Sequence, residues 1–491
     1  MATSLESAVS VRTKYEPVIG LEVHVQLLTD SKIFCSCSTR FGDPPNTNVC
    51  PVCLGLPGAL PVLNRKAVEF ATLAAIAINC DIRETSVFAR KNYFYPDLPK
   101  GYQISQYDKP LAEHGFIEIA TASGMKRLGI TRLHLEEDAG KSLHEGFAGS
   151  GETTAIDLNR SGVPLIEIVS EPDIASPEEA YEYLTRLKEI ILYTGVSDCN
   201  MEEGSLRCDA NVSVRPLGEK KFGTKTEVKN VNSFRFIREA LEYEIHRQIE
   251  VIESGGKIVQ ETRLYNSAEG KTYGMRSKEQ AHDYRYFPEP DLLPLVVDEK
   301  WRAQIWSMLP ELPEARRKRM MADYGITAQD AHTLTLTRSL ADQFESAAKA
   351  AKNPKRVANL VQSELIGRLK ASGLEVEHSP ISMKGVAESA DLLEAQVISS
   401  KMLKDLYDLC FERSKDFSIV YEEEGRPSQS RDTGAIEMLL EKVIADNPKQ
   451  VEQYRAGKKT VAQFFVGQVM RLSKGQANPQ LVNELVAKKL G

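Results

Sequence analysis

The chain has 491 residues, of which 42% are hydrophobic and 27% are charged, and its formal net charge is −7. This length exceeds one ordinary domain, so we expect two to four domains. No apolar run is long enough to span a bilayer, and the first residues lack the basic and apolar regions of a secretion signal. These observations argue against a membrane-spanning or secreted protein and lead us to expect a cytoplasmic one.

The C-terminal segment is basic although the whole chain is acidic. Residues 451–491 contain seven lysines and arginines but only two acidic residues. A basic end on an acidic body favours an anionic partner, with nucleic acid as the first candidate. An ordinary lysine-rich helical surface explains the same charges equally well.

The segment 20–26 reads GLEVHVQ and predicts an amphipathic strand. Alternation places Leu21, Val23 and Val25 on one face of this strand and Glu22 and His24 on the other. Side chains two residues apart on one face stand about 7 Å apart, so these two can reach a common ion or substrate. A half-buried strand with a polar solvent face is the alternative.

Four of the eight cysteines form two close pairs that are separated by a short loop. This spacing can place four thiolates around one tetrahedral zinc ion, in a closed site that is structural and not catalytic. Free thiols and a disulfide are the alternatives, although a chain without a secretion signal is not expected to keep a disulfide. The four residues are Cys35, Cys37, Cys50 and Cys53.

Two later segments place acidic residues among apolar ones. In 132–141, His134 and Glu136 alternate with leucines, whereas Glu137 breaks the alternation, so either a bulge turns it or the strand ends there. Glu167 is the lone acid of the apolar segment 164–170. A lone acid in such a strand is paired, bound to a metal ion or located at an exposed edge.

The segment 205–215 alternates polar and apolar residues throughout. Arg207 and Asp209 share its polar face, and Cys208 points towards the core, so we exclude Cys208 as a metal ligand. Glu227 continues the pattern in the next segment. The segments 64–79, 177–194 and 234–252 show the helical period, and Asn64 is placed to cap the first of them.

The first 300 residues therefore predict an antiparallel sheet backed by helices, within an α+β protein. Its polar face collects one histidine and several acids, a mixture that favours magnesium held with help from substrate phosphates. Lys91, Arg207 and Lys225 are candidates to neutralise the phosphates of a nucleotide. The sequence contains no Walker-type glycine loop and no dinucleotide fingerprint, so any ATP site must be of another design. A solvated, mixed-charge sheet face is the alternative.

Two further stretches carry aromatic, basic and proline residues without periodicity. The stretch 90–106 suits a nucleotide or an RNA end, although a structural Pro/Tyr-rich loop is also possible. The stretch 282–294 is a second Pro-locked segment, and helical patterns dominate from about residue 299 onwards. We expect domains at 1–298, with a zinc knuckle at 35–53, at 299–410 and at 411–491.

At this point several long motifs resemble one family, the B subunit of the aspartyl/glutamyl-tRNA amidotransferases. The resemblance runs from about residue 14 to the end. The motifs are GLEVHV at 20–25, RKNYFYPD at 90–97, LEEDAGK at 135–141, MEEGSLRCDAN at 201–211, DYRYFPEPD at 283–291 and KGQANP at 474–479.

The resemblance implies that this chain binds tRNA carrying Glu or Asp where Gln or Asn is due. It implies that ATP and magnesium are used to phosphorylate the side-chain carboxylate, and that a partner glutaminase (amidase) subunit releases ammonia from glutamine. A small third subunit would tie the two large ones together. The first domain would be a cradle similar to the glutamine synthetase core, followed by a helical domain and a tail that grips the tRNA.

Motif matching together with strand parity assigns roles to individual residues. We expect magnesium ligands at Glu22, His24, Glu137 and Glu227, with support from Glu136, Glu167 and Asp209. We expect phosphate contacts from Lys91, Arg207 and Lys225. The chain lacks the Ser-Ser-Lys arrangement of an amidase, so we predict that it does not itself hydrolyse glutamine.

Two other functions compete with this one. A zinc-stabilised RNA-binding protein without chemistry would explain the cysteines and the basic tail but not the acidic sheet face. A metal-dependent hydrolase of small substrates would leave the basic tail unexplained and would turn over without tRNA.

Overall fold

The computed structural model describes residues 14–147, 149–275, 283–430, 432–473 and 476–491. The chain forms two compact units, Met1–Leu312 and Pro313–Gly491. Strands are confined to the first unit, as far as the described residues extend, and the second unit is helical. The predicted α+β class, with a sheet domain followed by helices, is therefore confirmed.

The strands of the first unit are numbered here in chain order. They are β1 Tyr15–Gln26, β2 Asp81–Ile82, β3 Thr85–Ser86, β4 Phe88–Asn92, β5 Tyr102–Gln106, β6 Ala112–Thr121, β7 Gly124–Glu137, β8 Lys141–Leu143, β9 Ala155–Asp157, β10 Pro164–Ser170, β11 Leu206–Pro216, β12 Thr226–Lys229, β13 Thr262–Asn266, β14 Lys271–Gly274, β15 Phe287–Pro288 and β16 Leu295–Val296.

Nine of these strands, counted over the described residues, form one sheet in the order β14-β13-β12-β11-β1-β10-β7-β6-β2. Neighbouring strands are antiparallel except for β12 and β13, which run parallel. The strand β1, the first strand of the described residues, thus lies near the middle of the sheet, between β10 and β11. This position brings strands from distant parts of the sequence against Glu22 and His24.

One face of the sheet is packed against helices. Leu21, Val23 and Val25 of β1 are buried in this core, as their alternation predicts. The covering helices are Arg65–Ala77, Pro177–Thr194 and Phe234–Glu253. The side chain of Asn64 caps the first of these helices, where a short polar acceptor satisfies a free backbone amide. The opposite face of the sheet carries the polar residues.

The two aperiodic stretches meet in a small sheet of order β15-β4-β5. Arg90 of β4 forms a two-pronged ion pair with Glu289, with Nε to Oε2 at 2.7 Å and Nη2 to Oε1 at 2.8 Å. The backbone amide of Asn92 donates to the carbonyl of Tyr284. These contacts hold 90–106 against 283–289, whereas His282 lies outside the described residues.

The second unit contains two apolar cores. One is formed by buried residues from Met320 to Tyr421 and the other by residues from Ile436 to Leu490. Its helices are Pro313–Tyr324, Ala328–Leu334, Arg338–Ala350, Pro354–Leu360, Ile366–Ser372, Met383–Glu394, Ser400–Arg413, Phe417–Glu423, Thr433–Asp446, Pro448–Arg455, Ala462–Leu472 and Pro479–Leu490, with a π-helical turn at Val361–Leu365 and 3₁₀ turns at Val376–His378 and Lys459–Val461. None of the described helices is long and apolar enough to cross a membrane.

The expected division at 298 and 410 remains a prediction. The helix Glu299–Trp306 packs on the core of the first unit through Ile305. Phe417 and Tyr421 pack in the first of the two helical cores. The first two residues of the KGQANP motif, Lys474 and Gly475, lie outside the described residues.

Candidate functional site

Two histidines and two glutamates meet on the polar face of the sheet. His24 of β1 lies directly opposite Glu167 of β10, and Glu167 lies directly opposite His134 of β7. His24 Nε2 is 3.5 Å from Glu167 Oε2 and 3.7 Å from Glu136 Oε1. His134 Nε2 is 3.2 Å from Glu167 Oε2 and 3.5 Å from Glu136 Oε2. The cluster is therefore assembled by strand register across β1, β10 and β7.

Glu136, Glu167 and His134 of this cluster are buried, His24 is half-buried, and their charges are strongly coupled. Burial alone would raise the pKa values of Glu136 and Glu167, but the two facing histidines outweigh burial and lower both pKa values. Burial would lower the pKa of His24, but the carboxylates raise it. The same balance raises the pKa of His134 to about 9. The facing histidines thus favour the ionised form of both carboxylates.

His24, Glu136 and Glu167 each offer a donor atom, and these atoms all lie within 4.8 Å of one another. Two carboxylates and one imidazole suit a divalent cation, and the oxygen-rich set suits magnesium with water or phosphate completing its coordination. Ser105 Oγ donates to Glu136 Oε2 at 3.1 Å and so orients one of these carboxylates. The donor set therefore fits the metal that the sequence suggested.

Arg207 lies beside this cluster and is held in place by Asp138. Arg207 is directly opposite His24 in the register of β11 and β1. Its Nη2 donates to both oxygens of the buried Asp138 carboxylate at 2.9 Å, and Gln26 Nε2 donates to Oδ2 of the same carboxylate at 2.7 Å. Burial would raise the pKa of Asp138, but Arg207 and Arg160 lower it. A fixed guanidinium thus stands next to the candidate cation site.

A second acidic group continues along the same face. Glu22 lies directly opposite Asp209, and Asn211 Nδ2 donates to Glu22 Oε1 at 3.0 Å. Lys229 Nζ sits between Asp209 Oδ2 at 2.6 Å and Glu227 Oε1 at 3.1 Å. Burial and the charges of Glu167 and Glu227 raise the pKa of Glu22. Glu22 and Glu227 therefore lie in an acidic group that already contains one ammonium cation.

Glu137 faces a different direction from Glu136. The strand β7 ends at Glu137, which was one of the two outcomes expected from its broken alternation. Glu137 Oε1 accepts from the backbone amide of Ile104 at 2.9 Å and from Lys100 Nζ. It borders a cavity of about 100 Å³ that Cys35 and Cys53 also line. Glu136 joins His24 in the compact donor group, and a metal-binding role for Glu137 remains a prediction.

The two expected phosphate-binding lysines lie in different surroundings. Lys91 Nζ is 4.9 Å from the centre of the Tyr284 ring. Burial would lower the pKa of Lys91, but the nearby charges, of which that of Glu136 acts most strongly, raise it. Lys225 is exposed and borders a cavity of about 290 Å³ that Glu22 also lines.

The structure gathers the four predicted zinc ligands into one group. The sulfur atoms of Cys35, Cys37, Cys50 and Cys53 all lie within 4.8 Å of one another, and all four are free thiols. Cys50 Sγ and Cys53 Sγ are 3.9 Å apart, close to the separation of about 3.8 Å that tetrahedral bonding to zinc requires. Hydrogen bonding from Cys35 is the main cause that lowers the pKa of Cys53 to about 4. The group is thus compatible with a structural zinc ion.

Four residues near these sites received no role from the sequence. His134 and Asp138 follow the same alternation as Glu136, so the parity of their strand was an available signal for both. Lys229 follows the alternation of Lys225 and Glu227 in the same way. Lys32 had no such signal, because it follows the end of β1 and belongs to no periodic segment.

The fold and the site define an α+β protein that carries a carboxylate–imidazole group on its sheet face and a separate tetrathiol group. The family model described as the GatB/GatE catalytic domain matches residues 17–303, and the one described as the GatB domain matches residues 342–490. The chain therefore belongs to the GatB family.

Close relatives agree with this assignment over almost the whole chain. The B subunit of the aspartyl/glutamyl-tRNA(Asn/Gln) amidotransferase of Carboxydothermus hydrogenoformans is 57% identical over 477 residues, which cover 97% of this chain and 99% of the relative. The protein of the same name from Geotalea uraniireducens is 56% identical, with the same coverage. The resemblance inferred from the motifs is thereby confirmed.

Proposed function

We propose that this chain is the subunit of an aspartyl/glutamyl-tRNA amidotransferase that activates the side-chain carboxylate of Glu-tRNA(Gln) or Asp-tRNA(Asn). The observation that carries this proposal is the group of His24, Glu136 and Glu167 beside the fixed guanidinium of Arg207. Sequence identity of 57% and 56% to proteins named as this subunit, over 97% of this chain, supports the proposal.

Amidation requires activation of the carboxylate, because direct attack by ammonia would have to expel an oxide ion, which is a poor leaving group. Phosphorylation of the side-chain carboxylate by ATP turns that oxygen into part of a phosphate leaving group, which ammonia then displaces. Magnesium, when bound, supplies charge neutralisation to the transferring phosphoryl group. A site for this chemistry needs ionised carboxylates for the cation and fixed positive groups for phosphate oxygens.

The residues of this chain supply both requirements. His24, Glu136 and Glu167 would hold magnesium, because their donor atoms converge and the carboxylates stay ionised. Arg207, oriented by Asp138, would contact phosphate oxygens, and Lys91 would add positive charge on the same side. The cation-binding face would extend to Glu22, Asp209 and Glu227, and Glu137 would lie at its border. Lys225 would contact phosphate oxygens beside Glu22.

The remaining parts of the proposal concern partners and location. The chain would work in a complex with a glutaminase (amidase) subunit, which supplies ammonia, and a small third subunit. Mischarged tRNA would bind with help from the basic tail, and the complex would be cytoplasmic. The tetrathiol group would hold one structural zinc ion, which stabilises the knuckle and takes no part in the chemistry.

ATP hydrolysis by this chain, copurified with its amidase and small partners, tests the proposal. The assay compares wild type, Glu22→Ala and His24→Ala with and without Glu-tRNA(Gln), and Glu171→Gln serves as an exposed control. We expect the wild type to hydrolyse ATP only when the tRNA is present. Glu22→Ala and His24→Ala should lose this hydrolysis, whereas Glu171→Gln should keep it. Hydrolysis without tRNA would favour a small-substrate hydrolase, and tRNA binding without any hydrolysis would favour an RNA-binding protein.

A further inference from the structure

A lysine is completely buried beside the tetrathiol group. Lys32 has 0% of its surface exposed. Its Nζ donates to the carbonyl of Asn48 at 2.7 Å and to the carbonyl of Leu158 at 3.3 Å, and it lies 3.6 Å from Cys53 Sγ. Within the described residues, no carboxylate forms an ion pair with this ammonium group. The carboxylate of Glu137 borders the same cavity, but it pairs with Lys100.

The surrounding chain fixes Lys32 in this position. Its backbone amide donates to the carbonyl of Cys37, and its own carbonyl accepts from Asn64 Nδ2. Gly162 lies beside the lysine stem, since a Cβ atom there would stand 3.4 Å from Lys32 Cδ and 3.5 Å from Cys53 Cβ, which is ordinary van der Waals contact. The lysine stem is therefore packed between Gly162 and the knuckle, and its ammonium group ends at the sulfur.

An isolated buried ammonium group is costly, and carbonyl dipoles compensate for only part of that cost. Four thiolates around one zinc ion carry a net charge of −2, which needs nearby positive charge or hydrogen-bond donors. Each group thus supplies what the other lacks.

We propose that Lys32 is the counter-cation of the tetrathiol zinc centre, to which it donates a hydrogen bond at Cys53 Sγ. The inference rests on the zinc assignment made under the proposed function. Lys32 is a positioning residue here, because it acts on the metal through Cys53. By its bonds to Asn48 and Leu158 it also joins the knuckle to the loop that follows β9.

Zinc affinity of the full-length chain tests this inference directly. The proteins are purified without chelator, their zinc content is measured by elemental analysis, and competition with a metallochromic chelator gives the dissociation constant. Lys32→Met keeps the length of the side chain but removes the charge and the donor, and Lys32→Gln keeps a donor without the charge. Lys141→Met is the control, because it removes the charge of an exposed lysine on β8, the partner strand of β9.

We expect one zinc per chain in every variant at saturating zinc, and a dissociation constant about 10- to 100-fold higher in Lys32→Met, as for other residues that orient metal ligands. Lys141→Met should bind zinc as wild type does. An unchanged dissociation constant in Lys32→Met, or an equal loss in Lys141→Met, would overturn the inference.

Two outcomes separate this inference from related ones. Wild-type protein without zinc would overturn the zinc assignment itself, whereas zinc-loaded wild type with an unaffected Lys32→Met would overturn only the role of Lys32. If Lys32→Met does not fold, Lys32→Gln decides the question by the same measurement. Failure of both neutral variants to fold in saturating zinc would mean that the ammonium group serves the fold, and would also overturn the inference.

Discussion

His134 Nε2 lies 3.2 Å from Glu167 Oε2, and the two residues face each other directly across β7 and β10. Both side chains are almost completely buried. Within the described residues, His134 Nδ1 has no hydrogen-bond partner, so the carboxylates at its other nitrogen dominate its protonation. This pair therefore links the charge state of the site to the stability of the sheet.

Removing the charge of Glu167 should change the pH dependence of stability in magnesium-free buffer. Burial lowers the pKa of His134, but Glu167 and Glu136 raise it from 6.5 to about 9. The resulting stabilisation is complete below pH 6.5 and is lost as the pH rises through about 9. Glu167→Gln should lower this pKa, observed by NMR of labelled histidines, and flatten the decline in the free energy of unfolding over this pH range.

The exposed Glu171→Gln provides the comparison for Glu167→Gln, because it lies just beyond the same strand and should keep the wild-type pH profile. A His134 pKa that stays near 9 in Glu167→Gln would show that the carboxylate opposite it does not control its protonation.

Loss of one knuckle cysteine should release zinc. Cys53→Ser removes a thiolate from a closed four-ligand group, and such structural sites contribute directly to folding. Elemental analysis should find about one zinc per wild-type chain and markedly less in Cys53→Ser. Cys80→Ser changes a buried cysteine outside the group and should retain the metal. Equal zinc content in both variants would refute the tetrathiol assignment.

The ion pair between Arg90 and Glu289 should stabilise the small sheet strongly. Only 1% of the Glu289 side chain is exposed, so removing Arg90 leaves an uncompensated buried charge, at a cost on the order of 3 kcal/mol. The free energy of unfolding in urea is measured for Arg90→Ala, Glu289→Ala and the double variant. The loss in the double variant should be smaller than the sum of the losses in the two single variants.

Arg65, which is exposed, and Glu69, which is half-buried, form the comparison pair, at 3.3 Å on one helix. The same cycle there should give a coupling energy of no more than about 0.5 kcal/mol. Additive effects at Arg90 and Glu289 would mean that the two stretches are held together by other contacts.

The exposed lysines of the tail should contribute to tRNA binding. Lys458 and Lys459 are both exposed and form no ion pair within the described residues. If both contact phosphates, Lys458→Ala/Lys459→Ala should weaken tRNA binding and reduce the slope of log affinity against log salt by about two. Lys489→Ala is the control, because that ammonium group already pairs with Glu437 at 2.7 Å. Equal effects of the two changes would argue against a local phosphate contact.

Strand parity was sufficient to place Glu22 and His24 on one face, because a period of two leaves no other choice once Leu21 and Val23 are buried. The capped helix after Asn64 followed from equally local chemistry. The partners of His24 could not be predicted in this way. Whether Glu136 or Glu137 joins it depends on whether β7 continues without a bulge, and the register with Glu167 is set by long-range pairing.

The burial of Lys32 could not be predicted from the sequence. Lysine is among the residue types least expected in a core, and the burial of Lys32 depends on the fold of the knuckle and on the carbonyl groups that its ammonium group reaches. Strand alternation could have placed Lys229 on the polar face. Its position between Asp209 and Glu227, however, depends on how β12 pairs with β11.

The central position of β1 has a consequence for synthesis on the ribosome. This strand is made long before its partners β10 and β11, so both of its hydrogen-bonding edges stay open while the intervening chain is translated. Pairings so distant in sequence form slowly. We therefore expect the nascent chain to need protection from aggregation until Pro216 has left the exit tunnel, and the polar sheet face with the candidate site to be incomplete in any shorter translation product.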